Sequence, residues 1–212
     1  MTSSFVHSQS AMSAPSPARR VVDALDRLRA GADAEASERG DDVLAEGFCE
    51  AMERMVEIIG ALGAALSPAK SDVLGNVNKV RRALEAKRDG LFASVRRAQE
   101  GRAHATSPAK GTLWLKRFGE FVCALLREVG ETDASMRACS SAAYKRTLRR
   151  YHKRLTRTVF AAVLAFPPSR SSFVSNVGTR EEMLELADNF EPILGRIDAF
   201  LTIENLNDPK PV

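Results

Sequence analysis

Residues 71–82 read S-D-V-L-G-N-V-N-K-V-R-R. At about 3.6 residues per helical turn, Asp72, Asn76 and Lys79 stand at i, i+4 and i+7 and share one face. Val73, Val77, Val80 and Leu84 form an apolar stripe about 100° further round. An ordinary core helix keeps its charges on the side away from the stripe. Here an acid, an amide and an amine run along its edge. That suits a helix gripping a polar head whose tail enters the core. Taken alone, D-x-x-x-N-x-x-K also describes a solvated helix face.

The helical period continues on both sides. Val21, Val22, Leu25 and Leu28 give a short apolar face that starts near Ala18, and residues 31–40 read as a loop or a weak continuation. Asp41 and Asp42 are placed as N-caps of a long helix through Leu44, Phe48, Met52, Met55, Ile59 and Leu62, loosened by Gly60 and Gly63. S-P-A-K occurs at 67–70 and again at 107–110, read as one capping solution used twice, with Ser as N-cap and Pro at the first helical position. The first opens the helix of the quoted stretch, expected to reach about residue 87. Residues 91–100 read as a short basic helix and 101–106 as a loop holding His104.

The strongest amphipathic element follows, with Trp114, Phe118, Phe121 and Leu125 at i, i+4, i+7 and i+11 and Gly130 as its C-cap. After a short piece over 133–139, one long helix is expected over 140–166. Its apolar line is Tyr144, Leu148, Tyr151, Leu155, Val159, Ala162 and Phe166, and Pro167-Pro168 stops it. Residues 169–178 read as a turn or short helix. Thr179 with Glu182 is a capping box for a last helix along Met183, Leu186, Phe190 and Ile197, with Pro192 as a kink point. No segment alternates at the strand period. The expected fold is all-α, six to eight helices, with a disordered tail at 1–18, one domain at 19–206 and a second tail at 207–212.

Apolar residues make up 44% and charged residues 27%, a globular balance. No apolar run approaches the ~18 residues that would span a bilayer. Cys49, Cys123 and Cys139 are an odd count without metal-like spacing, and the first two read as small buried hydrophobes. No secretory segment opens the chain, so a reducing cytosol is the default. The net charge of +4 is concentrated: Lys145, Arg146, Arg149, Arg150, Lys153, Arg154 and Arg157 put seven cations into thirteen residues without an acid. Such a run attracts phosphate, on nucleic acid or on anionic lipid. Hydrolase, metalloprotease and nucleotide-binding motifs are absent. His152 has no nucleophile with it, so no enzyme, no cofactor and no metal are expected.

Three segments in order, D-V-L-G-N-V-N-K at 72–79, L-W-L-K-R-F at 113–118 and A-Y-K-R-T-L-R-R-Y-H-K-R-L at 143–155, resemble the glycolipid transfer protein family. The resemblance extends from about residue 48 to 206. It implies a two-layer all-helical sandwich enclosing a lipid pocket, with a surface recognition centre above an apolar cavity for ceramide. By position, Asp72, Asn76 and Lys79 would hydrogen-bond the first sugar and Trp114 would stack on it. Asp72 and His152 would hold the ceramide amide, and Phe121, Leu125, Leu148 and Phe160 would line the pocket.

The chain also departs from the pattern. Glycolipid-specific members carry a second Trp two residues after the site histidine, where this chain has Arg154, and they usually end in a Tyr-containing tail that it lacks. A ceramide-1-phosphate branch has Lys in place of Asn76, Arg in place of Trp114 and a further Arg where this chain has Lys110. The balance favours a sugar head.

The expected function is therefore to bind a sphingolipid, foremost a glycosylceramide, and move it between membranes. Lys153 and Arg154 would dock it in a transient peripheral contact. A cytoplasmic monomer is expected, with no nucleic acid as partner. One alternative is a carrier or sensor of ceramide-1-phosphate or another anionic sphingolipid, with Lys110 on the head. The other is a basic helical nucleic-acid binder. It ranks lower because Leu148, Tyr151 and Leu155 are core-spaced within the basic run.

Overall fold

The computed structural model describes residues 14–39, 42–84, 90–100 and 107–210. Its elements are α1 (Pro17–Arg39), α2 (Ala45–Gly60), α3 (Ser67–Arg81), α4 (Leu91–Glu100), α5 (Pro108–Glu131), α6 (Met136–Arg146), α7 (Arg154–Val163), α8 (Arg170–Val177) and α9 (Arg180–Ile203). Short 3-10 turns cover Ala64–Leu66 and Leu148–Tyr151. Most of the expected N-terminal tail, Asp41, the end of the expected third helix beyond residue 84, the 101–106 loop with His104 and the last two residues lie outside the described residues.

The helices form two layers. α1, α2 and α3 pack side by side, as do α9, α5 and α6; α1 lies on α9, while α2 and α3 lie on α5. α5 is the centre, with eighteen of its 24 residues buried. Beyond its first turns its apolar face is answered by α2, α3, α6 and α9, which is why the strongest amphipathic sequence ends up innermost. Gly119 permits a close approach: a Cβ there would stand 2.8 Å from Phe190 and 2.9 Å from Leu194 of α9. Two cations of α5 are buried as well. Lys116 pairs with Asp198 and, at 2.9 Å, with Glu120. The Arg117 guanidinium lies over the Tyr151 ring at 3.5 Å and the Trp114 ring at 5.0 Å and donates to the Asp208 carbonyl.

The capping box of α9 is complete. The Thr179 hydroxyl accepts from the Glu182 N–H at 3.2 Å, and the Glu182 carboxylate accepts from the Thr179 N–H at 3.0 Å. Glu182 also accepts from the Ser16 hydroxyl at 2.9 Å, which ties the start of α1 to α9. α9 continues through Pro192 as one element.

Several local expectations change. The fold has nine α-helices among the described residues rather than six to eight. α1 begins at Pro17, inside the expected tail, and continues to Arg39. α3 ends at Arg81. Asp42 does not cap α2, whose N-cap is Leu44; its carboxylate accepts instead from Phe92 and Ala93 at 2.7 and 2.9 Å, and so caps α4. Neither serine of the repeated S-P-A-K makes a capping bond; Ser67 is already helical and donates to the Ala64 carbonyl. Gly130 lies within α5 against Leu184, and the helix ends at Thr132.

The largest difference is the expected helix over 140–166. It is broken at Thr147, whose φ and ψ are −114° and −84°, and again at His152 and Lys153, which are extended. The Arg157 Nε reaches back to the Arg149 carbonyl at 2.9 Å and holds the bend. Leu148 and Tyr151 stay buried, but Leu155, Val159 and Phe166 are 78%, 54% and 87% exposed, so the apolar line does not run on into the core.

Candidate functional site

A cleft of about 640 Å³ opens between α3, the start of α5, the turn at 148–152 and α7. α3 forms its polar wall. The Lys79 ammonium donates to Asn76 Oδ1 at 2.8 Å, and Asn76 Nδ2 donates to Asp72 Oδ2 at 3.2 Å. The three side chains are thus a ladder at i, i+4 and i+7, with Asp72 exposed, Lys79 half-buried and Asn76 buried. Arg81 anchors this helix to α2, 2.8 Å from both Glu46 and Glu53. Gly111 lets α5 approach closely one turn before Trp114: a Cβ there would lie 3.0 Å from the Asn76 carbonyl oxygen.

Trp114 is half-buried beside His152, their rings 6.1 Å apart and inclined by 21°. His152 is buried, 4.8 Å from the Phe160 ring, and its Nδ1 lies 3.1 Å from the Tyr144 hydroxyl. Burial first, and the nearby charge of Arg157 second, hold its pKa below the ordinary imidazole value. The imidazole is therefore neutral at pH ~7. In the tautomer whose Nδ1 accepts from the Tyr144 hydroxyl, the ring proton sits on Nε2 and is free to donate. Apart from Lys110 and Thr156 the rest of the wall is apolar, with Val73, Leu115, Phe118, Leu148, Val159 and Phe160 among its residues.

The cleft brings together Asp72, Asn76, Lys79, Lys110, Trp114, Leu148, His152 and Phe160 from three separate stretches of sequence. Phe121 and Leu125 are not among its wall residues; they are packed in the core, 2% and 0% exposed. α5 turns that part of its face inward, and Phe118 takes the place at the wall. Lys153 and Arg154 stand outside the cleft, exposed at the start of α7. Reading from sequence missed Leu155 and Val159 as wall residues because their spacing looked like core, and it gave Thr156 no role. It also missed Tyr144 as the partner of His152. Their separation of eight residues would put both on one face of a straight helix, but only the bend brings the hydroxyl to the ring.

A family model described as glycolipid transfer protein matches residues 43–179. Glycolipid transfer protein 1 of Arabidopsis thaliana is 27% identical over 184 residues, which cover 82% of this chain and 91% of that protein. In fold, the chain superposes on FAPP2, which selects simple glycosphingolipids using the same fold, with a TM-score of 0.76 at 24% identity over 82% of this chain and 92% of that one. It also superposes on a mutant of Arabidopsis ACD11 (accelerated-cell-death 11) holding a C12 ceramide-1-phosphate, with a TM-score of 0.80 at 17% identity over 92% and 98%. Structures with a sugar-selecting and a phosphate-bearing ligand are both similar, so the fold leaves the headgroup to be argued from side chains.

Proposed function

The chain belongs to the glycolipid transfer protein family, and on that footing we propose that it binds a sphingolipid, foremost a glycosylceramide, and carries it between membranes. One observation carries the reading: five side chains from three motif segments line one cleft whose remaining wall is apolar apart from Lys110 and Thr156. The ladder on α3 fixes the Asn76 amide with its oxygen toward Lys79 and its nitrogen toward Asp72. That leaves Asp72 Oδ1, one Asn76 N–H and two Lys79 N–H groups for sugar hydroxyls, which both donate and accept. The Trp114 indole offers the flat apolar surface that suits the C–H face of a sugar ring.

Below the head, the ceramide amide must enter an apolar space, where an unpaired polar group costs several kcal/mol. Asp72 accepts from its N–H, and the Nε2–H of neutral His152 donates to its carbonyl. Each CH₂ of the chains gains ~0.8 kcal/mol against water but little against the bilayer it leaves, so a carrier can both take and release the lipid. His152 has its Nδ1 occupied by Tyr144, and burial pushes the Cys49 thiol up to about 12, so neither is poised as base or nucleophile. We read the protein as a carrier without chemistry on its lipid.

α7 supplies the membrane contact. None of its residues is fully buried, and Leu155 and Val159 are exposed where they also edge the cleft. Lys153 and Arg154 flank them, the combination expected at an anionic interface. Among the described residues no helix is long and apolar enough to cross a membrane, so the contact is peripheral. We take the working unit to be a cytoplasmic monomer of one domain, the expected 19–206 widened to take in Ser16 at the start of α1 and Asp208.

Lys79 and Lys110 edge the same cleft and favour a second reading, an anionic head such as a phosphate or a sulfated sugar. A nucleic-acid role ranks lower, because the cleft takes Leu148, His152 and Leu155 of the basic run into its wall, and Arg146 pairs with Glu128. Native mass spectrometry after exposure to mixed lipids tests the proposal. Retention of glycosylceramide is expected. Retention of ceramide-1-phosphate instead would select the second reading, and retention of no sphingolipid would overturn both.

A further inference from the structure

A second groove, of about 600 Å³, lies on the other side of α7, between it and α6. Arg137 and Lys145 enter it from α6, Arg154 and Arg157 from α7, and Arg149 from the turn that joins them. No acid lines it. Several cations elsewhere are answered by carboxylates: Arg81 by Glu46, Arg127 by Asp188 and Glu191, Lys116 by Glu120 and Asp198. Among the described residues, none of the five in the groove has a carboxylate partner.

Four of the five are exposed and Arg157 is half-buried, but they do not follow one helix face. They converge on one space from two helices and a turn, and the Arg157 side chain is fixed by its bond to the Arg149 carbonyl at 2.9 Å. Like charges held together are unfavourable until an anion joins them. Their field reaches inward: burial raises the pKa of Tyr144, while Arg157 and Arg149 pull the other way.

We propose that the groove between α6 and α7 is a second ligand site, for a group that carries two or more phosphates. A phosphate monoester carries about −1.5 to −2 charges at neutral pH, so one would leave about three of the five cations unanswered. The arginines supply planar forks for phosphate oxygens, and Ser141 and Thr158 add hydroxyls to the same walls. Tyr144 also lines the groove, and its hydroxyl touches His152 in the cleft. A polyphosphate would thus sit back to back with the lipid, across α7, and brace a helix that has no buried residue of its own. The site is independent of which sphingolipid the cleft takes.

The phosphates could belong to a soluble inositol polyphosphate or to a phosphoinositide head in a membrane. Calorimetric titration with inositol trisphosphate should give saturable one-to-one binding. It should weaken at least tenfold in Arg137→Ala/Lys145→Ala, whose residues are exposed and leave the fold intact by circular dichroism. It should be unchanged in Asp72→Val, which separates this site from the cleft. Co-sedimentation with phosphatidylcholine vesicles then identifies the source. Preference for phosphatidylinositol bisphosphate over phosphatidylserine at matched charge points to the membrane head, and trisphosphate binding without that preference points to the soluble ligand. No saturable trisphosphate binding together with no bisphosphate preference would overturn the proposal, as would equal affinity in the double variant.

Discussion

α5 and α7 both read as amphipathic helices, yet eighteen residues of α5 are buried and none of α7. α5 is enclosed by α2, α3, α6 and α9, so its apolar face is covered along its length except near its start, where Trp114, Leu115 and Phe118 line the cleft. α7 has the cleft on one side and the basic groove on the other. Helical spacing says that a face is apolar. It does not say what covers it, and on α7 the proposed covers are the lipid and the membrane surface.

The widest separation should appear in stability. Leu125→Ala in α5 should cost about 2–5 kcal/mol, as truncations of enclosed core side chains do. Leu155→Ala in α7 should stay within about 0.5 kcal/mol, as surface changes do, yet slow transfer between vesicles. Urea unfolding of the two variants checks this, and an equal loss would remove the contrast.

Next come the polar residues at the mouth. Trp114→Ala and Asp72→Val should each abolish glycolipid transfer, a loss of at least tenfold or about 1.4 kcal/mol, while far-UV helicity stays near wild type. Cooperative unfolding in either would return that residue to the class of α5.

A smaller effect is expected from the charges of α7. Each cation near an anionic surface contributes ~1 kcal/mol, within a Debye length of about 10 Å. Transfer should therefore vary with phosphatidylserine content, slow when that content is high, and flatten in salt. Lys153→Glu/Arg154→Glu should lose the dependence, and a flat wild-type response would remove electrostatic docking while leaving the cleft in place.

The smallest effect concerns His152. Its folded pKa is depressed by burial and by Arg157, so the unfolded chain takes up the proton first. The stability this contributes is present above the ordinary imidazole pKa of about 6.5 and is lost as pH falls through the folded value. Thermal melts between about pH 7 and 5 should show that decline, and it should be shallower in His152→Phe.

The ladder on α3 was legible because i, i+4 and i+7 are neighbours on any helix, whatever surrounds it. The capping box of α9 was legible for the same reason, both partners lying within one turn. The break at 147–153 was not. No glycine or proline marks it, and the contacts that hold it, Arg157 to the Arg149 carbonyl and Tyr144 to His152, exist only once the chain has bent. Asp42 failed in the same way. A carboxylate satisfies whichever free N–H groups lie nearest in space, and those belong to α4, fifty residues on. Phe121 and Leu125 were misplaced because a helix face continuous in sequence passes from cleft to core along its length.

Trp114 is the chain's only tryptophan and it stands in the cleft, so its emission reports on the proposed site alone. The most direct measurement is that emission during titration with phosphatidylcholine vesicles, with and without glucosylceramide. The expected result is a saturable change with the glycolipid vesicles, absent with plain vesicles and absent in Asp72→Val. The same change with plain vesicles, or an undiminished one in Asp72→Val, would contradict recognition of the lipid by its head in this cleft.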